Sequence, residues 1–398
     1  MTDNVTPFTA KHWSSQLRRT QEGKVKNLTG NIMAVLENIQ ELSGAIVFDE
    51  MEMAVMQARE LPWNDQAGRF WTDHDTINLM RWLNAQGFEF AHDTLERCIN
   101  AVADSQRCHP LREWLNELRW DGQPRVDKWL SYYLGADDST YTREVGMRWL
   151  VSAVARVMKP GCKADHVLVL EGTQGVGKST ALLNLFGDRY FADSLSDVGN
   201  KDAAIAVQGI WCIELAEMDA MTRSTTTAMK AFITRRQDKF RPPYGRRDIR
   251  APRQCVFAGT VNHSRYLKDE TGNRRFWPVE TKSIDLDAIA HDRAQLWAET
   301  VAMFRQGEHW HLVGSTMHDL ARLQQLRRVD FNQAWYEVLA DKLGGQKTTK
   351  LRECLDMLGF PPHQVRGHYA VEIGKVLREL GFSRDERDQH DRTWRREL

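Results

Sequence analysis

Apolar residues in the first third of the chain recur three and four positions apart over 32–42, 51–61, 75–85 and 94–103, the spacing of helices that bury one face. The pattern predicts a mostly helical region that begins near Asn31. Before it, residues 1–30 carry Lys11, Arg18, Arg19, Lys24 and Lys26 with few apolar anchors, so a flexible or loosely docked basic lead-in is expected. A short helix is expected at 109–115 and a turn at 120–125, with Trp114, Trp120 and Trp129 read as core side chains. The helix predicted over 144–158 stops at Lys159-Pro160-Gly161, and there the pattern changes. An apolar strand starting at Val167 and strand-like runs at 210–215 and 254–261 alternate with helical segments, as in a parallel sheet wrapped by helices. After Pro278 the period is helical again. Helices are expected at 348–358 and 371–380, and the Arg-rich ending 382–396 is suited to pairing as a β-wing. Four segments result: lead-in 1–30, helical N-terminal domain 31–143, α/β nucleotide-binding domain 144–329, and a winged-helix-like C-terminal domain 330–398.

Composition narrows this picture little. At 398 residues the chain exceeds what one core usually serves. Lys and Arg balance Asp and Glu at 54 each, so a nucleic-acid surface has to be a local concentration of basic residues. The six cysteines form no CxxC pair and suggest a reducing cytosol and no zinc site. With no long apolar run and no leader-like N-terminus, the expectation is a soluble, cytoplasmic protein without a membrane partner.

The chemistry starts where the first apolar run ends, at Gly172-Thr173-Gln174-Gly175-Val176-Gly177-Lys178-Ser179-Thr180. This matches GxxxxGK[ST], a pattern that chance supplies in roughly one to two chains per hundred of this length. Its glycines let backbone N–H groups wrap a phosphate chain, and the following helix points its positive end at the same charge. ATP and Mg²⁺ are the expected cofactors, with Lys178 on the β- and γ-phosphates and Ser179 on the metal. Hydrolysis also needs a carboxylate, expected from the strand beside the loop strand. Glu217, just past the run 210–215, is preferred as catalytic residue and Mg²⁺ ligand, with Glu214 a close second that would face the other way. Asn262 ends the next run, where an amide can hold the lytic water and sense the γ-phosphate. Arg274 and Arg275 follow a Gly-Asn turn and suit the role of an arginine finger offered to a neighbouring subunit. The segment 230–250 is the strongest local basic stretch, and Lys230, Lys239, Arg241, Tyr244, Arg246 and Arg247 are its candidate DNA contacts.

These motifs, together with Leu61-Pro62-Trp63, Trp120-Asp121-Gly122-Gln123-Pro124-Arg125, Arg241-Pro242-Pro243-Tyr244-Gly245-Arg246 and Thr271-Gly272-Asn273-Arg274-Arg275-Phe276, resemble the virulence-associated protein E family of phages and mobile elements. That family is similar to the superfamily 3 replicative helicases. The resemblance implies an AAA+ P-loop core, a hexameric ring around DNA and ATP sites shared between subunits. It assigns Lys178 and Ser179 to Walker A, Glu217 with Glu214 to Walker B, Asn262 to sensor 1 and Arg274 or Arg275 to the trans arginine. The acidic motif Glu-Leu-Ala-Glu departs from an adjacent acidic pair, so either glutamate can be the active one. The stretch before Asn31 is too short for a primase domain, and no primer synthesis is expected. The implied function is ATP-dependent helicase or translocase activity on single-stranded or forked DNA in mobile-element replication. An ATP-switched initiator or defence assembly factor is the alternative.

Overall fold

The computed structural model describes residues 13–195, 202–216, 218, 223–241, 248–262, 266–267, 273–326, 328, 331–360, 367–384 and 393–396. They belong to two compact units, Met1–Glu117 and Leu118–Leu398.

In the first unit, helices α1 (Thr29–Asn38), α2 (Asp73–Ala85), α3 (His92–Ser105) and α4 (Pro110–Glu117) accompany strands β1 (Ile46–Asp49), β2 (Ala54–Gln57), β3 (Arg69–Phe70) and β4 (Arg107–Cys108). The strands form one sheet in the order β3-β2-β1-β4. The helical expectation for 51–61 is therefore corrected: Ala54–Gln57 is a strand paired antiparallel to Ile46–Asp49, reached through a turn with Met53 at φ 55°. The crowd of apolar residues there satisfies both periods over so short a window, and the partner strand decides. From residue 13 on, the lead-in is also more ordered than expected. Leu17 and Val25 are buried in the unit's core, and the Asn31 side chain accepts the Arg18 N–H while donating to the Arg18 and Lys26 carbonyls.

The second unit begins before residue 144. Its early part, α5 (Trp129–Leu134) and the start of α6 (Thr140–Met158), packs with a later helix, α10 (Leu286–Arg305). Buried Glu299 on α10 accepts the backbone N–H groups of Arg125 and Val126, and the Tyr133 hydroxyl donates to Asp292. The central sheet holds β5 (Val167–Glu171), β6 (Phe191–Ala192), β7 (Cys212–Leu215), β10 (Val256–Val261) and β11 (Phe276–Glu280) in the order β11-β5-β10-β7-β6, all parallel. Helices α7 (Lys178–Phe186), α8 (Ala203–Ala206) and α9 (Arg223–Ile233) intervene. β5, β7 and β10 are buried throughout, which is why they read as continuous apolar runs.

Between β7 and β10 the chain forms a hairpin, β8 (Gln237–Phe240) with β9 (Ile249–Pro252), in which Lys239 opposes Arg250 on the exposed side. Its inner side is fixed by Arg253, whose guanidinium makes paired bonds of 2.9 and 2.6 Å to Asp238, with both side chains fully buried. The same guanidinium donates to the Phe232 carbonyl at the end of α9, at 2.5 Å. Removing one partner of such a pair strands the other charge, so Asp238→Ala is expected to cost about 3–5 kcal/mol. Chemical unfolding of the full chain reads this directly, and a cost under about 1 kcal/mol, the value of an exposed pair, would contradict it.

Helix α11 (Ser315–Leu326) leads to the last part: α12 (Phe331–Lys342), β12 (Thr348–Lys350), α13 (Leu351–Met357), α14 (Gly367–Glu379), β13 (Ser383–Arg384) and β14 (Thr393–Arg395). The strands pair antiparallel in the order β12-β14-β13, so the helix expected from 348 starts three residues later. Leu339, Ile373, Val376, Phe382 and Trp394 join the same apolar cluster as Val167 and Phe257 of the central sheet. Among the described residues no helix is long and apolar enough to cross a membrane.

Candidate functional site

The loop from Gly172 to Gly177 joins the end of β5 to the start of α7. A side chain at Gly172 would place its Cβ 2.7 Å from Thr281 Oγ1 and 2.8 Å from the Thr281 carbonyl, so only glycine lets the loop leave the sheet here. Gly177 has φ +99°, a left-handed conformation that ordinary residues rarely adopt, and α7 begins at the next residue. Its first-turn N–H groups have no acceptor within the helix and form a ready anion site. They border a cavity of about 320 Å³ lined by Gln174, Lys178, Ser179, Glu214, Thr260 and Asn262, among others. Four of the side chains singled out in the sequence thus converge: Lys178, Ser179, Glu214 and Asn262.

Lys178 donates to the Gly172 carbonyl at 2.8 Å, the Thr173 carbonyl at 3.0 Å and Asn262 Oδ1 at 3.1 Å. Burial lowers its pKa, and the Glu214 charge opposes that shift. Glu214 is 2% exposed. Its Oε1 accepts the hydroxyls of Ser179 at 2.7 Å and Thr260 at 2.5 Å, while its buried Oε2 has no protein partner among the described residues. The expectation that Glu214 faces away is corrected. So is the expectation of a neighbouring strand, because β10 lies between β5 and β7. Glu214 opposes Ala258 of β10, near the carboxyl ends of the strands, and Thr260 on that intervening strand donates to the same carboxylate oxygen as Ser179. Glu217 lies outside the described residues. The orphaned carboxylate oxygen and the Ser179 hydroxyl are a hard-oxygen pair suited to Mg²⁺.

Arg274 and Arg275 sit in a 3-10 turn, Asn273–Arg275, that opens β11. Phe276 pairs beside Val167 and Glu280 beside Glu171, so the arginines lie at the amino ends of the parallel strands. The Gly172–Gly177 loop lies at the carboxyl ends, about 13–17 Å away along a five-residue strand. Both arginines line a second cavity of about 440 Å³. Arg274 is exposed and makes no ion pair among the described residues, whereas Arg275 Nε donates to Thr234 Oγ1 at 3.1 Å.

Of the candidate DNA contacts, Lys239 and Arg241 are exposed on the hairpin, and Lys239 makes a solvated pair with Asp248. Tyr244, Arg246 and Arg247 lie outside the described residues. Lys230 is corrected: it is 8% exposed, and its Nζ donates to Asn273 Oδ1 at 3.2 Å, so it is not a surface contact. Helical phase could have shown this, since Thr226, Met229, Lys230 and Ile233 share the buried face of α9. Sequence reasoning also missed Thr260 and the ion pair that precedes the loop. There Arg328 Nη2 and Nε hold the Glu171 carboxylate at 2.7 and 2.8 Å, and the Tyr266 hydroxyl donates to it. Partners so far apart in the chain leave no local signal.

The model of the virulence-associated protein E-like domain matches residues 115–329. A search of curated proteins finds none that matches. Among solved structures, the chain is similar to an apo structure of the NrS-1 C-terminal region (305–718), at 14% identity and TM-score 0.41 over 66% of this chain and 69% of that one. An A-form apo structure of the NrS-1 C-terminal region has 11% identity and TM-score 0.46 over 83% of this chain and 87% of that one. Likenesses at these scores carry no functional weight.

Proposed function

Because the chain belongs to the virulence-associated protein E-like domain family over residues 115–329, we propose that it is an ATP-driven DNA motor, an AAA+ P-loop ATPase of superfamily 3 helicase type serving phage or mobile-element replication. The observation that carries this reading is the division of the ATP chemistry between two ends of one sheet. Lys178, Ser179, Glu214 and Asn262 meet around one cavity, and the arginines stand at the far end. A complete site then needs a second copy of the chain, and a closed ring satisfies every copy at once.

In this reading Lys178 neutralises the β- and γ-phosphates, and Asn262 orients the attacking water. Ser179 and Glu214 would hold Mg²⁺, which when bound would offset phosphate charge. Arg274, exposed and without an ion pair among the described residues, is the arginine offered to the neighbour. The hairpin Gln237–Pro252, with Lys239, Arg241 and Arg250, faces the DNA backbone, and the strands and helices after residue 330 form a winged-helix-like second DNA surface.

ATP turnover is expected to rise with single-stranded or forked DNA in the wild type and to vanish in Lys178→Ala. Turnover indifferent to DNA would overturn the motor reading. DNA-stimulated turnover without fork unwinding, in particles that stay monomeric or dimeric by mass photometry, would favour the ATP-switched initiator.

A further inference from the structure

The hairpin and the arginine turn are separate in sequence, yet side-chain hydrogen bonds tie both of them to the end of α9. It starts at β8, where Asp238 holds the Arg253 guanidinium. Arg253 in turn binds the carbonyl of Phe232, in the last turn of α9. On that same turn the Thr234 hydroxyl donates to the Lys230 carbonyl at 2.7 Å and accepts Arg275 Nε at 3.1 Å. One turn earlier Lys230 Nζ reaches Asn273 Oδ1, within the 3-10 turn that carries Arg274. The end of α9 therefore grips the arginine turn at two points, Asn273 and Arg275. It leaves Arg274 between them without an ion pair among the described residues.

We propose that Lys230 and Thr234 are positioning residues that couple the hairpin to the arginine turn, so that DNA held on the hairpin sets where Arg274 is presented to the neighbouring ATP site. This rests on the proposed motor function and adds a regulatory device to it. The physical basis is stiffness. Buried charged groups with several bonds have few alternative positions, so a shift of β8 is passed through Arg253 to α9 instead of being absorbed. Lys230 is an expensive residue to bury, and burying it against Asn273 places a cationic donor where an apolar side chain would otherwise pack. Thr234 lies just past the helix, and its single hydroxyl serves both partners, so its removal opens the clasp while leaving the Arg253–Asp238 pair intact.

The test compares Thr234→Val, Thr234→Ser and Lys230→Met with wild type in three readouts: turnover without DNA, DNA affinity, and turnover with saturating forked DNA. Thr234→Val keeps the shape and removes the hydroxyl, so it folds even if Lys230→Met does not. Turnover without DNA and DNA affinity should stay at wild-type values. DNA stimulation should fall by roughly tenfold to a hundredfold, the value of a charge-assisted hydrogen bond, and Thr234→Ser should restore it. Wild-type stimulation in Thr234→Val would overturn the coupling and leave the motor reading standing. An equal fall with and without DNA would also overturn it, by reducing Thr234 to a structural role. A wild type that DNA does not stimulate would instead defeat the motor function itself.

Discussion

Alanine at Arg274 is expected to lower ATP turnover by roughly 10³- to 10⁵-fold, the range of an arginine that stabilises transferring phosphoryl charge. Nucleotide affinity should hardly change, because the guanidinium meets charge that develops only in the transition state, so kcat falls while KM stays. The cause of so large an effect is placement. Arg274 opens β11 at the end of the sheet opposite the Gly172–Gly177 loop, so in the proposed motor it would act on the site of a neighbouring subunit. Mixing Arg274→Ala with Lys178→Ala subunits separates this from simple damage. Neither variant turns over ATP alone, but an interface that draws Lys178 from the first and Arg274 from the second has both halves. In rings assembled at random from equal amounts, about a quarter of interfaces qualify. No recovery on mixing would sink the shared site, and recovery by Arg275→Ala in place of Arg274→Ala would move the finger to Arg275.

How much of this was legible in the chain depends on how local each determinant is. The loop residues were readable because each identity answers to its own backbone: Gly172 to the crowding of Thr281, Gly177 to a left-handed φ, and Lys178 and Ser179 to the first turn of α7. The strands β5, β7 and β10 were readable because burial on both faces leaves unbroken apolar runs. Failures came where a distant partner decides. Ala54–Gln57 is a strand because Ile46–Asp49 lies beside it. Lys230 looked like a surface cation within a basic run, yet Asn273, 43 residues away, takes it into the core. The facing of Glu214 was misjudged because it depends on the order of strands. With β10 inserted between β7 and the loop strand, the Glu214 side chain that reaches Ser179 starts from the penultimate residue of β7.

That geometry leads to the last expectation. Glutamine at Glu214 should lower turnover by roughly 10²- to 10⁴-fold, the scale of a lost general base or water-positioning carboxylate. The substitution is nearly isosteric. Its amide oxygen can still accept the hydroxyls of Ser179 and Thr260, so the fold and the nucleotide cavity should survive. What changes is the buried Oε2, which becomes an NH₂ group: a donor stands where a metal or a water proton needs an acceptor. The charge also acts on Lys178, whose pKa burial pushes down and Glu214 holds up. A lysine is cationic below its pKa, so without Glu214 the pKa drops further and the cation is lost earlier as pH rises. Metal-free nucleotide binding should therefore weaken at a lower pH in Glu214→Gln than in wild type, a shift that loss of a water-positioning group alone would not produce. If Glu214→Gln kept turnover within about threefold while Glu217→Gln removed it, the catalytic carboxylate would be Glu217, and Glu214 would serve only to orient Ser179 and Thr260.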